Sequence, residues 1–312
     1  MTSSRISIPA TPKGWYTLCP SAELAAGQVH SATYFEQRLA LFRGADGQAH
    51  LLDAWCPHQG ANLGRGLVHG ETLACPYHGW RFAGNGQCAH IPGTDKITSA
   101  MKVRSWPLLE RNGLLMAWYE PDGGAPEWEI PDLGVFGQAP WTEPVMRDFT
   151  VRSHVIEIGE NQVDFAHWPY VHKTAGFPQD VEVTDEQHIL RVHARVGMGP
   201  VGAESMTDVH ITSWGLGFGQ LHFKGLVEAK ALVATTPTDN DQTLVRFYIF
   251  LRQPEGQELD PMVRTLFTEY FFQQVSQDME ILDDKIFREK PMLSAADGPI
   301  AIYRKWTRQF LP

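Results

Sequence analysis

Two short loops put thiolate and imidazole ligands side by side. Cys56-Pro-His58 is followed, after sixteen residues, by Cys75-Pro-Tyr-His78. Two sulfur and two nitrogen ligands could make a tetrahedral structural zinc site. They could equally hold a [2Fe–2S] cluster, with both cysteines on one iron and both histidines on the other. The one-residue C-x-H spacing, the paired prolines and the flanking Gly60, Gly64, Gly66 and Gly79 favour the cluster. Glycines let backbone N–H groups approach the sulfurs, and such hydrogen bonds tune a cluster's potential. Cys19 and Cys88 read as ordinary buried thiols.

Such a cluster only moves electrons, so the chemistry must come from the long stretch of chain beyond it. There "GENQVDFAHWPYVH" gathers Asn161, Asp164, His167 and His172. On a helix the first three are spaced i, i+3, i+6 and lie along one face. Pro169 should break that helix and let His172 swing back toward His167. Two His and one carboxylate on one side of a non-haem Fe(II) leave positions open for O₂ and substrate. The carboxylate is sought on the helix "TLFTEYFFQQVSQDMEILDDKIF". At 100° per residue, Phe267, Phe271, Val275 and Leu282 all fall within about 60° of Asp278. Asp278 is thus centred on an apolar stripe, where a charge is costly unless paired or metal-bound. It is the expected third ligand. Asp164, with Asn161 beside it, is expected to accept a hydrogen bond from the ring of His167 and orient that ligand.

These residues need elements to hold them. Residues 15–120 read as β-rich, with "RLALFRG", "HLLDAW" and "GLLMAWYEP" as strands between turn signals. Residues 121–145 are a Pro/Gly-rich linker. Residues 146–312 form a second domain. It opens on "FTVRSHVIEI" as a strand, continues with "GENQVDFAHW" as a helix that stops at Pro169, and then offers the strands "HILRVHARV", "GLGFGQLHFKGL", "AKALVATTP" and "TLVRFYIFLR". A long helix over about 261–289 comes next, with Asp260 as N-cap and Pro261 at its first position. The fold class is α+β.

Composition narrows the function. The 312 residues are 43% hydrophobic and carry a net charge of −10. That argues against nucleic acid or an anionic membrane as partner. No run reaches the length of a membrane span. The opening residues have no apolar leader, and four cysteines make no disulfide scaffold. The expectation is a cytoplasmic protein without an anchor. No G-x-G-x-x-G follows a strand, so electrons must come from a separate NAD(P)H-dependent reductase, directly or through a ferredoxin.

With both constellations read, the chain resembles the oxygenase (α) component of the Rieske non-haem iron oxygenases over nearly its whole length. The segments "NQVDFAHWPYVH", "QDMEILDDK", "KPMLSAADGPI" and "YRKWTRQF" are similar to the 3-ketosteroid 9α-hydroxylase and cholesterol 7-desaturase branch. In that branch a Q-D-x-E-I-W-x-x-K pattern supplies the iron carboxylate; here Leu282 replaces the tryptophan. The resemblance implies an N-terminal antiparallel β Rieske domain and a helix-grip catalytic domain whose curved sheet wraps the C-terminal helix. It implies a homotrimer in which the cluster of one subunit meets the iron of its neighbour, with Asp164 bridging His167 to the neighbouring His78. It implies O₂-dependent hydroxylation of a hydrophobic, steroid-like polycyclic substrate. Desaturation, demethylation, aromatic-ring dihydroxylation and a non-catalytic electron-transfer role are the alternatives.

Overall fold

The computed structural model describes residues 11–174, 176–197, 206–239, 241–295 and 297–312. The chain divides into two compact units, one holding residues 15–132 and the other most of the chain from residue 133 onward.

The first unit is built from eleven short strands. They are β1 (Gly14–Pro20), β2 (Val29–Tyr34), β3 (Gln37–Arg43), β4 (Ala49–Asp53), β5 (Leu67–His69), β6 (Thr72–Ala74), β7 (Arg81–Ala83), β8 (Cys88–His90), β9 (Ser105–Trp106), β10 (Leu108–Arg111) and β11 (Leu114–Tyr119). They form three small sheets, ordered β1-β11-β10, β2-β3-β4-β9 and β5-β6-β7-β8. The three strands expected here are present, and β3 and β11 are largely buried. Residues 121–144 hold no helix or strand. Trp128 nevertheless packs edge-on to Trp118 at 4.5 Å, and Ile130 is fully buried.

The second unit is one antiparallel sheet with one long helix and several short ones. Its strands are β12 (Val145–Val151), β13 (Gln179–Glu186), β14 (Ile189–Gly197), β15 (Met206–Trp214), β16 (Phe218–Lys224), β17 (Glu228–Pro237) and β18 (Thr243–Leu251). The order is β12-β18-β17-β16-β15-β14-β13. Strict alternation along β15 sends Val209 and Ile211 to the same face, opposite Phe223 and Leu221 of β16. Onto that face lies the long helix α3 (Pro261–Asp284), after the short helices α1 (Val155–Glu160) and α2 (Trp168–Val171) and before α4 (Ile300–Thr307). Phe271 of α3 makes edge contacts with Phe223 and Phe247 at 5.8 and 5.7 Å. Each such pair adds about 0.5–1.5 kcal/mol to the area buried. Asp260 caps α3 by accepting from the Met262 N–H at 2.8 Å, with Pro261 next, as the sequence predicts.

Several expectations change. The strand expected over 149–158 ends at Val151, and Val155 opens α1 instead, capped by the ring of His154. The helix expected to run to Pro169 ends at Glu160, so Asn161, Asp164 and His167 lie on an irregular turn and do not share a helix face. Pro169 sits in the first turn of α2, where its missing N–H costs nothing, and therefore starts a helix. The long helix stops at Asp284, short of 289. Strands β13 and β15 were not among those expected. Among the described residues no helix is long and apolar enough to cross a membrane.

Candidate functional site

The two Cys-His loops have the same construction. In "CPHQG" and "CPYHG" the glycine stands four residues after the cysteine. Gly60 donates its N–H to the Cys56 carbonyl at 2.8 Å, and Gly79 to the Cys75 carbonyl at 3.1 Å. Both glycines have φ near +70°, which a side chain would disfavour. The Cys56 and Cys75 N–H groups bond in turn to the carbonyls of Ala61 and Trp80. Gly64 and Gly66 answer to packing: a Cβ would strike Ser31 at one and the Ala74 carbonyl at the other. The four glycines thus shape and seat the loops.

The loops bury sulfur and present imidazole. Cys56 and Cys75 are 3% and 4% exposed, inside a core with Leu63, Leu73 and Phe82. Burial, with Cys75 alongside, pushes the Cys56 thiol up to about 11. His58 and His78 are exposed, their ring centroids 4.6 Å apart. Trp80 stacks on His58 at 4.6 Å and 8°, and Tyr77 lies against His78 at 3.8 Å. Two buried thiols under two neighbouring imidazoles fit a [2Fe–2S] cluster whose histidine side reaches solvent.

In the second unit, His167, His172 and Asp278 converge. The two Nε2 atoms are 3.2 Å apart, and Asp278 Oδ1 stands 3.5 Å from one and 3.2 Å from the other. Among the described residues this is the group of three whose ligand atoms all lie within 4.8 Å of one another. Asp278 is 13% exposed, and its buried Oδ1 has no hydrogen-bond partner. An orphaned carboxylate oxygen facing two imidazole nitrogens fits a divalent cation. The sequence missed a residue here. Gln277 Oε1 lies 3.3 Å from His172 Nδ1, where it can accept the ring proton and leave Nε2 for a metal. Its adjacency to Asp278 was the available signal.

Asp164 sits on the Nδ1 side of His167, at 3.8 Å, beyond hydrogen-bond reach. Its Oδ1 accepts from the Ala166 N–H at 3.2 Å. Asn161 closes α1 and lines cavities on both sides of the triad. One of these is apolar, about 780 Å³ counting its opening to solvent. The sheet face and α3 wall it with Val209, Phe223, Phe247 and Phe271, and it ends at His172 and Asp278. The tail of the chain fixes the triad's support. Tyr303 of α4 donates its hydroxyl to the Ile156 carbonyl at 2.9 Å, and Arg304 forks onto Glu160.

Paired cysteines and histidines that would hold an electron-carrying cluster, and a ligand triad two of whose members line an apolar cavity, divide the labour of one class of enzyme, the Rieske-type non-haem iron oxygenases. Comparison with known proteins gives the particular family. Residues 14–107 match the Rieske [2Fe-2S] domain, and residues 117–311 match the 3-ketosteroid 9α-hydroxylase C-terminal domain. A 3-ketosteroid-9-alpha-monooxygenase oxygenase component of Rhodococcus rhodochrous is 30% identical, over 96% of this chain and 83% of its own. The cholesterol 7-desaturase of Caenorhabditis elegans is 32% identical, over 97% and 77%. In fold, the chain is similar to dicamba monooxygenase bound to dicamba, with a TM-score of 0.78 at 21% identity over 95% of this chain and 96% of that one. The chain belongs to the 3-ketosteroid 9α-hydroxylase family of Rieske oxygenases. As an oxygenase component it depends on a separate reductase.

Proposed function

We propose that this protein hydroxylates a hydrophobic, steroid-like polycyclic substrate with O₂, and that the apolar cavity ending at His172 and Asp278 is where that substrate lies. The residues in named roles are His167, His172 and Asp278 for a mononuclear Fe(II), and Cys56, His58, Cys75 and His78 for the cluster. Bound iron supplies O₂ activation, and the cluster supplies electrons one at a time. The chain's own residues do the rest. Gln277 holds the His172 ring in register. Aromatic walls exclude water and fix which substrate carbon faces the triad. The net reaction is RH + O₂ + 2e⁻ + 2H⁺ → ROH + H₂O, with electrons from the reductase, directly or through a ferredoxin.

The finer reading is a homotrimer, with Asp164 joining His167 of one subunit to His78 of the next. The exposure of the His58 and His78 rings supports it, since a neighbour can reach them. Four cysteines free of disulfides suit the reducing cytoplasm.

An anaerobic single turnover tests the proposal. Protein carrying iron and cluster is reduced chemically and given O₂ with a panel of steroids and a panel of aromatic acids. A steroid product heavier by one oxygen is expected. A product two hydrogens lighter would replace hydroxylation by desaturation. A product from the aromatic panel alone would overturn the steroid reading.

A further inference from the structure

The substrate cavity is walled mostly by apolar side chains, and the net reaction consumes two protons per turnover. A second cavity of about 380 Å³ meets the triad from elsewhere. It is lined by Glu157, Glu160, Asp164, His167, Asp278 and Lys285, with Asn161 and Asp278 shared between the two cavities. Its lining is ionisable where the other's is aromatic.

Glu157 is the residue in it that no role above absorbs. Its side chain is 3% exposed, an expensive place for a carboxylate. Lys285 Nζ stands 3.5 Å from Oε1 and is itself 36% exposed, at the solvent end. Ser153 donates its hydroxyl to Oε2 at 3.3 Å. Glu160, one turn on, is taken by Arg304, so it neither pairs with Lys285 nor competes for its charge. The cavity thus brings together a partly exposed ammonium, a buried carboxyl and the triad's Asp278 and His167.

We propose that Glu157 is the proton relay of this site, passing protons from solvent along the second cavity to the oxygen being reduced, with Lys285 positioning its carboxyl at the solvent end. The proposal rests on the oxygenase reading. In each transfer the Glu157 O–H bond breaks as an O–H bond of the product forms. The carboxylate then takes a proton from solvent at the Lys285 end of the cavity, with Lys285 as the fixed charge that orients it. Glu157 is neither oxidised nor reduced; O₂ is the oxidant and the reductase the electron source. Two features suit it to the task. Burial raises its carboxyl above the usual range, with the Glu160 charge adding and with Lys285 and Ser153 opposing. Such a group holds a proton closer to neutral pH than a surface glutamate and gives it up more readily than water. The other ionisable groups lining the cavity are Glu160, tied to Arg304 of α4, Asp164 and His167 from the turn, and Asp278 from α3.

A purely structural Glu157, anchoring α1 to the end of α3, predicts different results. The Glu157→Gln variant keeps the size of the side chain and an acceptor for Ser153 but has no proton to give. The holoprotein is followed by infrared titration at rest and by O₂ uptake after chemical reduction, across pH. A carboxyl C=O band is expected to titrate above the usual carboxylate range in the native protein and to be missing in E157Q. Native O₂ uptake should fall as pH rises through that titration, because deprotonated Glu157 has nothing to donate. In E157Q uptake should be slower by about 10²-fold, the pH limb should vanish, and iron and cluster content should match the native protein. Glu157→Asp should recover part of the rate. Lys285→Gln, at a partly exposed position, should slow uptake with native metal content even if E157Q folds poorly. Native uptake and an unchanged pH profile in E157Q and K285Q would overturn the relay, as would a native protein with no such band. The band is read without substrate, so a failed steroid assay leaves that result standing. Normal product from E157Q would sink the relay and keep the oxygenase.

Discussion

Arg304 is the residue through which the end of the chain holds the metal triad's support, and Arg304→Met measures that hold. The guanidinium donates to both Glu160 oxygens, with Nη2 3.0 Å from Oε1. The two side chains are only 16% and 10% exposed. Nη1 also donates to the Arg288 carbonyl at 2.5 Å, tying down the segment after α3. Methionine fills similar length but leaves the Glu160 charge buried and alone. Removing one partner of a buried pair costs about 3–5 kcal/mol. At about 2–4 °C per kcal/mol for a domain of this size, the melting midpoint of the second unit should fall by about 6–20 °C. The double variant E160Q/R304M removes the orphaned charge and should recover most of the loss. Because α1 runs from Glu160 into Asn161 and the turn bearing His167, R304M should also weaken iron binding, by about the 10–100-fold typical of residues that support metal ligands. Thermal unfolding by circular dichroism and iron titration of the purified variants give both numbers. An R304M protein that melts within about 1 °C of native would refute the clamp, since even 1 kcal/mol would show as more.

The same geometry sets other outcomes. On the inter-subunit role proposed for Asp164, Asp164→Asn should stop turnover while elemental analysis finds both iron and cluster at native levels; normal activity would overturn that role. His172→Ala should lose mononuclear iron and keep the visible absorption of the cluster. Phe271→Ala should cost about 3–5 kcal/mol in a denaturant titration, because the ring is 8% exposed among Phe223, Phe247 and Phe272, and the wider cavity should change which substrate carbon is attacked. In the first unit, hydrogen bonds from Arg43 hold Glu110 below the usual glutamate range against the opposing effect of burial. A depressed carboxyl stabilises the fold while ionised, and the gain is lost as pH falls through the lowered value. Glu110→Gln should therefore flatten the acid-side drop in denaturant midpoint.

The parts of this protein that depend on local pattern are legible in its sequence. The strands of the first unit show as short apolar runs between turns, and α3 shows through Asp260, Pro261 and a stripe of apolar residues. Asp278 stands out because a carboxylate in the middle of that stripe needs a partner, and the structure sets it beside His167 and His172. The stretch 149–169 misleads because its pattern is ambiguous. "VRSHVIEI" alternates like a strand, yet the His154 cap and the clamp by Tyr303 and Arg304 make helix of its second half. Strand β15 is hard to see because only Val209 and Ile211 are apolar on its buried face, where Thr207 and Ser213 also lie.

Ligand chemistry is carried by the residues themselves: which side chains can bind iron and sulfur, the spacing of the loops that hold them, and the apolar character of the helix above them. Those depend on residue type and near neighbours. Which carboxyls stand where is a matter of packing across the chain. Asp278 and His172 are distant in sequence and meet because α3 packs onto the sheet; Glu157 acquires its burial, and Lys285 its place beside it, from the same docking. A side chain's environment is set by the groups that pack against it from elsewhere in the chain, and no single stretch of sequence contains them.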